Sequence, residues 1–346
     1  MPRLGIFASS RRNRAYITVV GSVSPFIYTF PWDDGTGYGT KYSDPATLPA
    51  GTCFDVAFSY NNAYIATGHT FAPVVTAYPW SASGFGTKYS NPSSGIAAGN
   101  IGYGICFKPS NDVLVITTQG TPFIHAYAWS ASGFGTKYSN PATLPSSRTN
   151  SANFSPLGNN LVIGLTSSPY ISMYTWSSGF GTKYSDPATL PTGQGNYANF
   201  SYDETDVSIA HITSPYVTTY PWSSSGFGTK YSDPASLPPG VGQGVAFNPN
   251  DNAISVVGQT SPYTATYPWT TGTGYGTKYS SPASIPANTH WSVKWSSTGS
   301  VVSVSAQVTS AIATYIWTDS GLGTRYANAT GISTTNQNYK MNLNTQ

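Results

Sequence analysis

Residues 83–90 read Ser83-Gly84-Phe85-Gly86-Thr87-Lys88-Tyr89-Ser90, and this stretch returns along the whole chain. Its core triplet recurs as Gly39-Thr40-Lys41, Gly86-Thr87-Lys88, Gly135-Thr136-Lys137, Gly181-Thr182-Lys183, Gly228-Thr229-Lys230, Gly276-Thr277-Lys278 and Gly323-Thr324-Arg325. The leading glycines are 47, 49, 46, 47, 48 and 47 positions apart. A second marker keeps the same beat at Trp32, Trp80, Trp129, Trp176, Trp222, Trp269 and Trp317. Two markers in step at this spacing are the signature of a repeat architecture.

One unit is read most clearly between residues 244 and 286. Val245-Ala246-Phe247 is a short apolar strand, and Asn248-Pro249-Asn250-Asp251-Asn252 has turn chemistry. Ala253 to Val257 is β-branched-rich, and Tyr263 to Trp269 alternates after the turn Gln259-Thr260-Ser261-Pro262. A Gly-rich turn leads into a short fourth strand, Tyr275-Gly276-Thr277-Lys278-Tyr279, and a Pro-containing connector follows. Four antiparallel strands in about 47 residues make a propeller blade. One such sheet cannot bury both faces, whereas a closed ring of seven buries all of them. The expected fold is therefore an all-β, seven-bladed β-propeller over residues 1–327. Unit one is read from Leu4 to Tyr42, with an innermost strand near Leu4–Ala8. Residues 328–346 form a C-terminal tail that either seals unit seven against unit one or covers the seam or projects outward. In it, Tyr339-Lys340-Met341 is aligned with Tyr197-Ala198-Asn199.

Composition agrees with an ordered β protein. Only 8% of the 346 residues are charged and 14% are aromatic, with Gly 35 and Pro 26, whereas disordered chains are poor in aromatics. The net charge of +3 includes a small group, Arg3, Arg11, Arg12 and Arg14, but no one-faced basic stripe, so nucleic acid is not an expected partner. No apolar run reaches the ~18 residues of a membrane span, and the N-terminus lacks a signal-peptide core. A cytoplasmic origin is the default. Cys53 and Cys106 read as buried small side chains rather than a disulfide.

The repeated residues suit structural roles. Each marker Trp follows, by two positions, Phe30, Tyr78, Tyr127, Tyr174, Tyr220, Tyr267 or Tyr315. Blade-to-blade packing is the first reading, and a ring of aromatic platforms for a sugar is the second. Lys41, Lys88, Lys137, Lys183, Lys230, Lys278 and Arg325 fall on outer edge strands, where a cation discourages sheet-to-sheet pairing, with anion binding as the alternative. Glu204 lies in Asp203-Glu204-Thr205-Asp206, read as a solvated turn rather than a metal site. His69, His125, His211 and His290 are scattered, and no triad, metal spacing or phosphate loop is present, so no cofactor is implied. The innermost strands offer Asp55, Asn153, Asn199 and Lys294 at most. On this basis the chain is expected not to be an enzyme.

The segment Phe154–Trp176 and the Ser-Pro-aromatic turns at Ser24-Pro25-Phe26, Ser168-Pro169-Tyr170, Ser214-Pro215-Tyr216 and Ser261-Pro262-Tyr263 resemble the WD40-like propeller repeats of bacteriophage and bacterial proteins. The resemblance departs from eukaryotic WD40 repeats, since Trp32-Asp33 and Gly68-His69 do not recur. It implies a propeller and a place on a phage particle. The expected function is a non-catalytic virion component (decoration, tail or fibre) contacting other virion proteins, or else a glycan-binding propeller that recognises a host cell-surface glycan.

Overall fold

The computed structural model describes residues 15–97, 99–307, 312–332 and 338–344. Seven four-stranded antiparallel sheets form a seven-bladed β-propeller, and no helix occurs among the described residues. Blade four illustrates the unit: Thr149–Phe154 is innermost, followed by Asn160–Leu165, Ile171–Trp176 and the outermost Phe180–Lys183. The two middle strands are buried along almost their whole length because neighbouring blades cover both faces.

The innermost strands surround a central channel. They are Cys53–Phe58, Gly102–Phe107, Thr149–Phe154, Gly195–Phe200, Gly242–Phe247, His290–Trp295 and Asn338–Asn344. The last belongs to blade one, where it pairs with Ala15–Gly21. The Leu4–Ala8 strand read from the sequence lies outside the described residues, and the inner position of that blade is filled from the C-terminal end. Leu343 pairs with Ile17 as Phe200 pairs with Val207. Lys340 therefore sits level with Tyr197, one place away from the sequence alignment. In a strand, one residue of register decides which face a side chain takes.

The marker residues build the belt between blades. The tyrosine that follows each marker cation packs edge-on against the next blade's Trp, as in Tyr42–Trp80 at 4.9 Å, Tyr138–Trp176 at 5.3 Å and Tyr231–Trp269 at 5.0 Å. The ring closes with the same pair, Tyr326–Trp32, at 4.8 Å. Six of the seven Trp are only 3–6% exposed, and Trp317 is partly buried, so the belt presents no open stacking face to a sugar. Gly133 shows why the motif needs glycine. Its φ is +90°, and a Cβ there would lie 2.7 Å from the Tyr89 ring.

The aromatic two residues before each Trp pins the connector. Tyr78 donates to Thr47 O at 2.7 Å, Tyr174 to Thr143 O at 2.9 Å and Tyr267 to Ser236 O at 2.7 Å. The marker cations turn back onto the same connectors: Lys41, Lys183 and Lys230 pair with Asp44, Asp186 and Asp233 three residues on. Lys88 donates to Asn91 Oδ1 at 2.6 Å, and Arg325 reaches Asn328 in the same way.

The outermost strand is shorter than the sequence predicts in some blades, and one residue decides it. Where proline precedes the marker Trp (Pro31, Pro79, Pro221 and Pro268), the outer strand is two residues long. Where Ala128, Thr175 or Ile316 stands there, it runs on to the marker cation as Gly133–Lys137, Phe180–Lys183 and Gly321–Arg325. The proline carbonyl still accepts from the outer strand, as from Gly276 N at 2.9 Å, but its nitrogen on that side has no hydrogen to donate.

Candidate active site in the central channel

The inner strands are the least repetitive part of each blade. Tyr197 stands at the centre of the channel and is 6% exposed. Its hydroxyl accepts from Lys294 Nζ and donates to Asn153 Oδ1 at 3.3 Å. Both nearby ammonium groups lie over its ring, Lys294 at 4.5 Å and Lys340 at 5.1 Å from the centroid. Lys340 Nζ donates to Asn150 O at 3.0 Å and lies 3.4 Å from Asp55 Oδ2. Asp55 is 5% exposed and accepts from Val56 N at 3.0 Å and Ile105 N at 3.2 Å. These residues form a polar plug across the channel.

On one side of the plug is a cavity of about 390 Å³, open toward the turns that join the first and second strands of the blades. Asp55, Asn153, Tyr197, Asn199 and Lys294 line it, with Tyr60 and Tyr202 at its mouth. Burial works against the Lys294 charge, but Tyr197 and then Asp55 outweigh it, and its pKa is held above the usual lysine value. The Cys106 thiol in the same wall is pushed well up by burial, so it stays protonated. Cys53 and Cys106 are both buried free thiols.

Asp55, Asn153, Asn199 and Lys294 were readable as inner-strand polar residues, and the ring brings all four into this one cavity. Tyr197 and Lys340 were not singled out, although they complete the network. The other sequence candidates lie elsewhere. Asp206 is buried, accepting from Tyr231 OH at 2.8 Å, Trp269 Nε1 at 3.0 Å and Thr271 Oγ1 at 3.2 Å, so it is a link between blades rather than part of an exposed turn. Glu204 accepts from the Leu157 amide of the preceding blade. His69 and His211 bond Thr76 and Thr218 at 2.9 Å, and His290 bonds Thr264 Oγ1 at 2.9 Å and Pro286 O at 3.1 Å.

No protein-family model matches the chain, and no curated protein matches its sequence. Solved structures do match its shape. A candidate 6-phosphogluconolactonase from Bacteroides fragilis superposes with a TM-score of 0.72 at 12% identity, covering 97% of this chain and 99% of that one. The periplasmic gluconolactonase of Pseudomonas aeruginosa gives 0.72 at 12%, covering 95% and 99%. A protein from Lactobacillus plantarum gives 0.72 at 13%, again covering 95% and 99%. At such identities the likeness is one of fold. Two of these three neighbours are named as gluconolactonases and none as a WD40 repeat or phage protein, which overturns two expectations: that the chain is a non-catalytic virion component or lectin-like propeller, and that it is not an enzyme. The physical reason is that the repeat pattern reports the scaffold, whereas chemistry is set by the unrepeated channel.

Proposed function

We propose that the protein is a hydrolase that opens the ring of a sugar-acid lactone in the central channel. One observation carries this reading: a carboxylate, an ammonium group and a phenol (Asp55, Lys294 and Tyr197) line a single cavity. The cavity's 390 Å³ falls within the usual range for small-molecule sites, about 300–1,000 Å³. The fold neighbours named as gluconolactonases add support.

Each group has a place in ester hydrolysis. Asp55 takes a proton from water as its oxygen bonds to the lactone carbonyl carbon. Lys294, held cationic, stabilises the oxyanion that forms. The carbonyl carbon–ring oxygen bond then breaks. The departing alkoxide takes the Tyr197 proton, which Lys294 replaces along the existing hydrogen bond. Asp55 and Lys294 return to their starting states by exchange with solvent, and a hydroxy acid leaves.

The test is proton release from glucono-δ-lactone and its 6-phosphate, measured against spontaneous opening. The wild-type protein should accelerate at least one of them, and Asp55→Asn should lower that rate by about 10²-fold or more. Wild-type rates equal to the uncatalysed ones for both lactones would overturn the reading, as would an Asp55→Asn variant of full activity.

A further inference from the structure

The other mouth of the channel, on the face of the blade connectors, holds a second cavity of about 480 Å³. It lies beyond the plug from the candidate active site. Two cations line it, Arg148 and Lys340, and no Asp or Glu does. The amides of Asn196, Gln243 and Gln259 and the indole of Trp291 complete the polar and aromatic wall.

Arg148 is the unusual member. Its guanidinium lies 4.6 Å from the centroid of the Tyr103 ring, and Nη1 donates to Tyr103 OH at 3.3 Å. Its Nε is buried and has no hydrogen-bond partner. It forms no ion pair among the described residues, whereas three of the marker lysines are each matched by an aspartate. A partly desolvated guanidinium, held over a ring and without a carboxylate partner among the described residues, is suited to a planar or tetrahedral oxyanion.

We propose that this connector-face cavity binds a small oxyanion, a phosphate or carboxylate group, between Arg148 and Lys340. The inference is independent of the lactone chemistry. It carries a consequence for Asp55. Lys340 Nζ is 3.4 Å from Asp55 Oδ2, so an anion in the cavity competes with that carboxylate for the same ammonium.

The experiment is calorimetric titration of the full chain with inorganic phosphate and, separately, citrate, at fixed ionic strength against a sodium chloride blank. Saturable binding of at least one anion is expected. Arg148→Met should weaken it ten-fold or more, and Arg148→Lys should retain part of it. Asp55→Asn should tighten it several-fold by releasing Lys340. Circular dichroism checks that each variant is folded. If Arg148→Met is not folded, Arg148→Lys decides: binding equal to wild type counts against the site. The proposal falls if neither anion gives heat above the blank, if binding ignores Arg148, or if Asp55→Asn weakens it. Loss of lactone hydrolysis without loss of anion binding would sink only the hydrolase reading.

Discussion

The belt and the channel are built from the same strands and obey opposite rules. In the belt, every blade repeats a Trp packed by the edge-on tyrosine of the blade before it, and the marker cations Lys41, Lys88, Lys183, Lys230 and Arg325 fold onto their connectors. In the channel, the positions level with Tyr197 are Asp55, Gly104, Ser151, Gly244, Ser292 and Lys340: small Gly or Ser in four blades, and Asp, Tyr and Lys once each in the other three. Repetition marks what all seven blades need in order to close. Variation on the same frame marks where one place differs from the other six, and there the ionisable groups collect.

Substitution should separate the two regions most sharply. Trp176→Ala empties a buried inter-blade site and should cost about 3–5 kcal/mol of stability, read from denaturant unfolding. Lys294→Met replaces a partly buried ammonium by an apolar side chain of similar length. Its stability should be near that of the wild type, because the ammonium's desolvation cost goes with its hydrogen bond to Tyr197, while Asp55 keeps Lys340 as its charged partner and is not left alone. Its lactone hydrolysis should fall by about 10²–10³-fold. A Lys294→Met protein as unstable as Trp176→Ala would erase the distinction.

Acid should act on a third layer, the four histidines. Burial lowers each from 6.5 to about 4, with His69, His211 and His290 fully buried and His125 nearly so. In the folded chain they stay neutral at pH 5, while the unfolded chain protonates them near 6.5. Between these values the unfolded state binds more protons, so stability falls as pH drops from 6.5 toward 4. The slope should be at most about 1.4 kcal/mol per pH unit for each histidine. Above 6.5 their contribution is constant. Melting temperature followed from pH 8 to 4 checks this, and His211→Gln should flatten the acid limb. A curve unchanged across that window would show that other groups control it.

The belt was legible from sequence because its signal is local and seven-fold: Gly-Thr-Lys and Trp in step dictate the unit, its length and its ring. The channel was legible only as four separate residues. Lys294 and Tyr197 are 97 positions apart, and Lys340 and Asp55 are 285 apart. Nothing local announces that they meet. Tyr197 was hidden among 26 tyrosines. Lys340 was hidden by register, since aligning Tyr339 with Tyr197 assigns the wrong residue to the channel face. Strand Asn338–Asn344 finds its place only by pairing with Ala15–Gly21 across the whole chain, a choice that local alternation cannot make between the tail and Leu4–Ala8. The residue before each marker Trp, which controls outer-strand length, was present in the sequence at every blade, but its effect emerges only when blades with proline there and blades without it are set side by side.

The smallest expected effect concerns the connector pins, where blade one supplies its own contrast. Six blades fix a connector through a tyrosine hydroxyl, but the corresponding residue of blade one is Phe30, buried and without a donor. Blade one is also the blade whose inner strand comes from the far end of the chain, and the apolar cluster that contains Phe30 has Ala329 and Ile332 packed against it. There an apolar contact stands where the other blades use a hydrogen bond. Tyr174→Phe converts blade four to that state without the matching apolar partners. It removes the bond to Thr143 O and should cost about 1 kcal/mol, the net worth of one such bond. Faster amide exchange in the connector around Thr143 should accompany it, with the Trp176 packing unchanged. A loss as large as that of Trp176→Ala would mean that the pin, rather than the indole, holds the blades together, and the belt would have to be redrawn around the tyrosines.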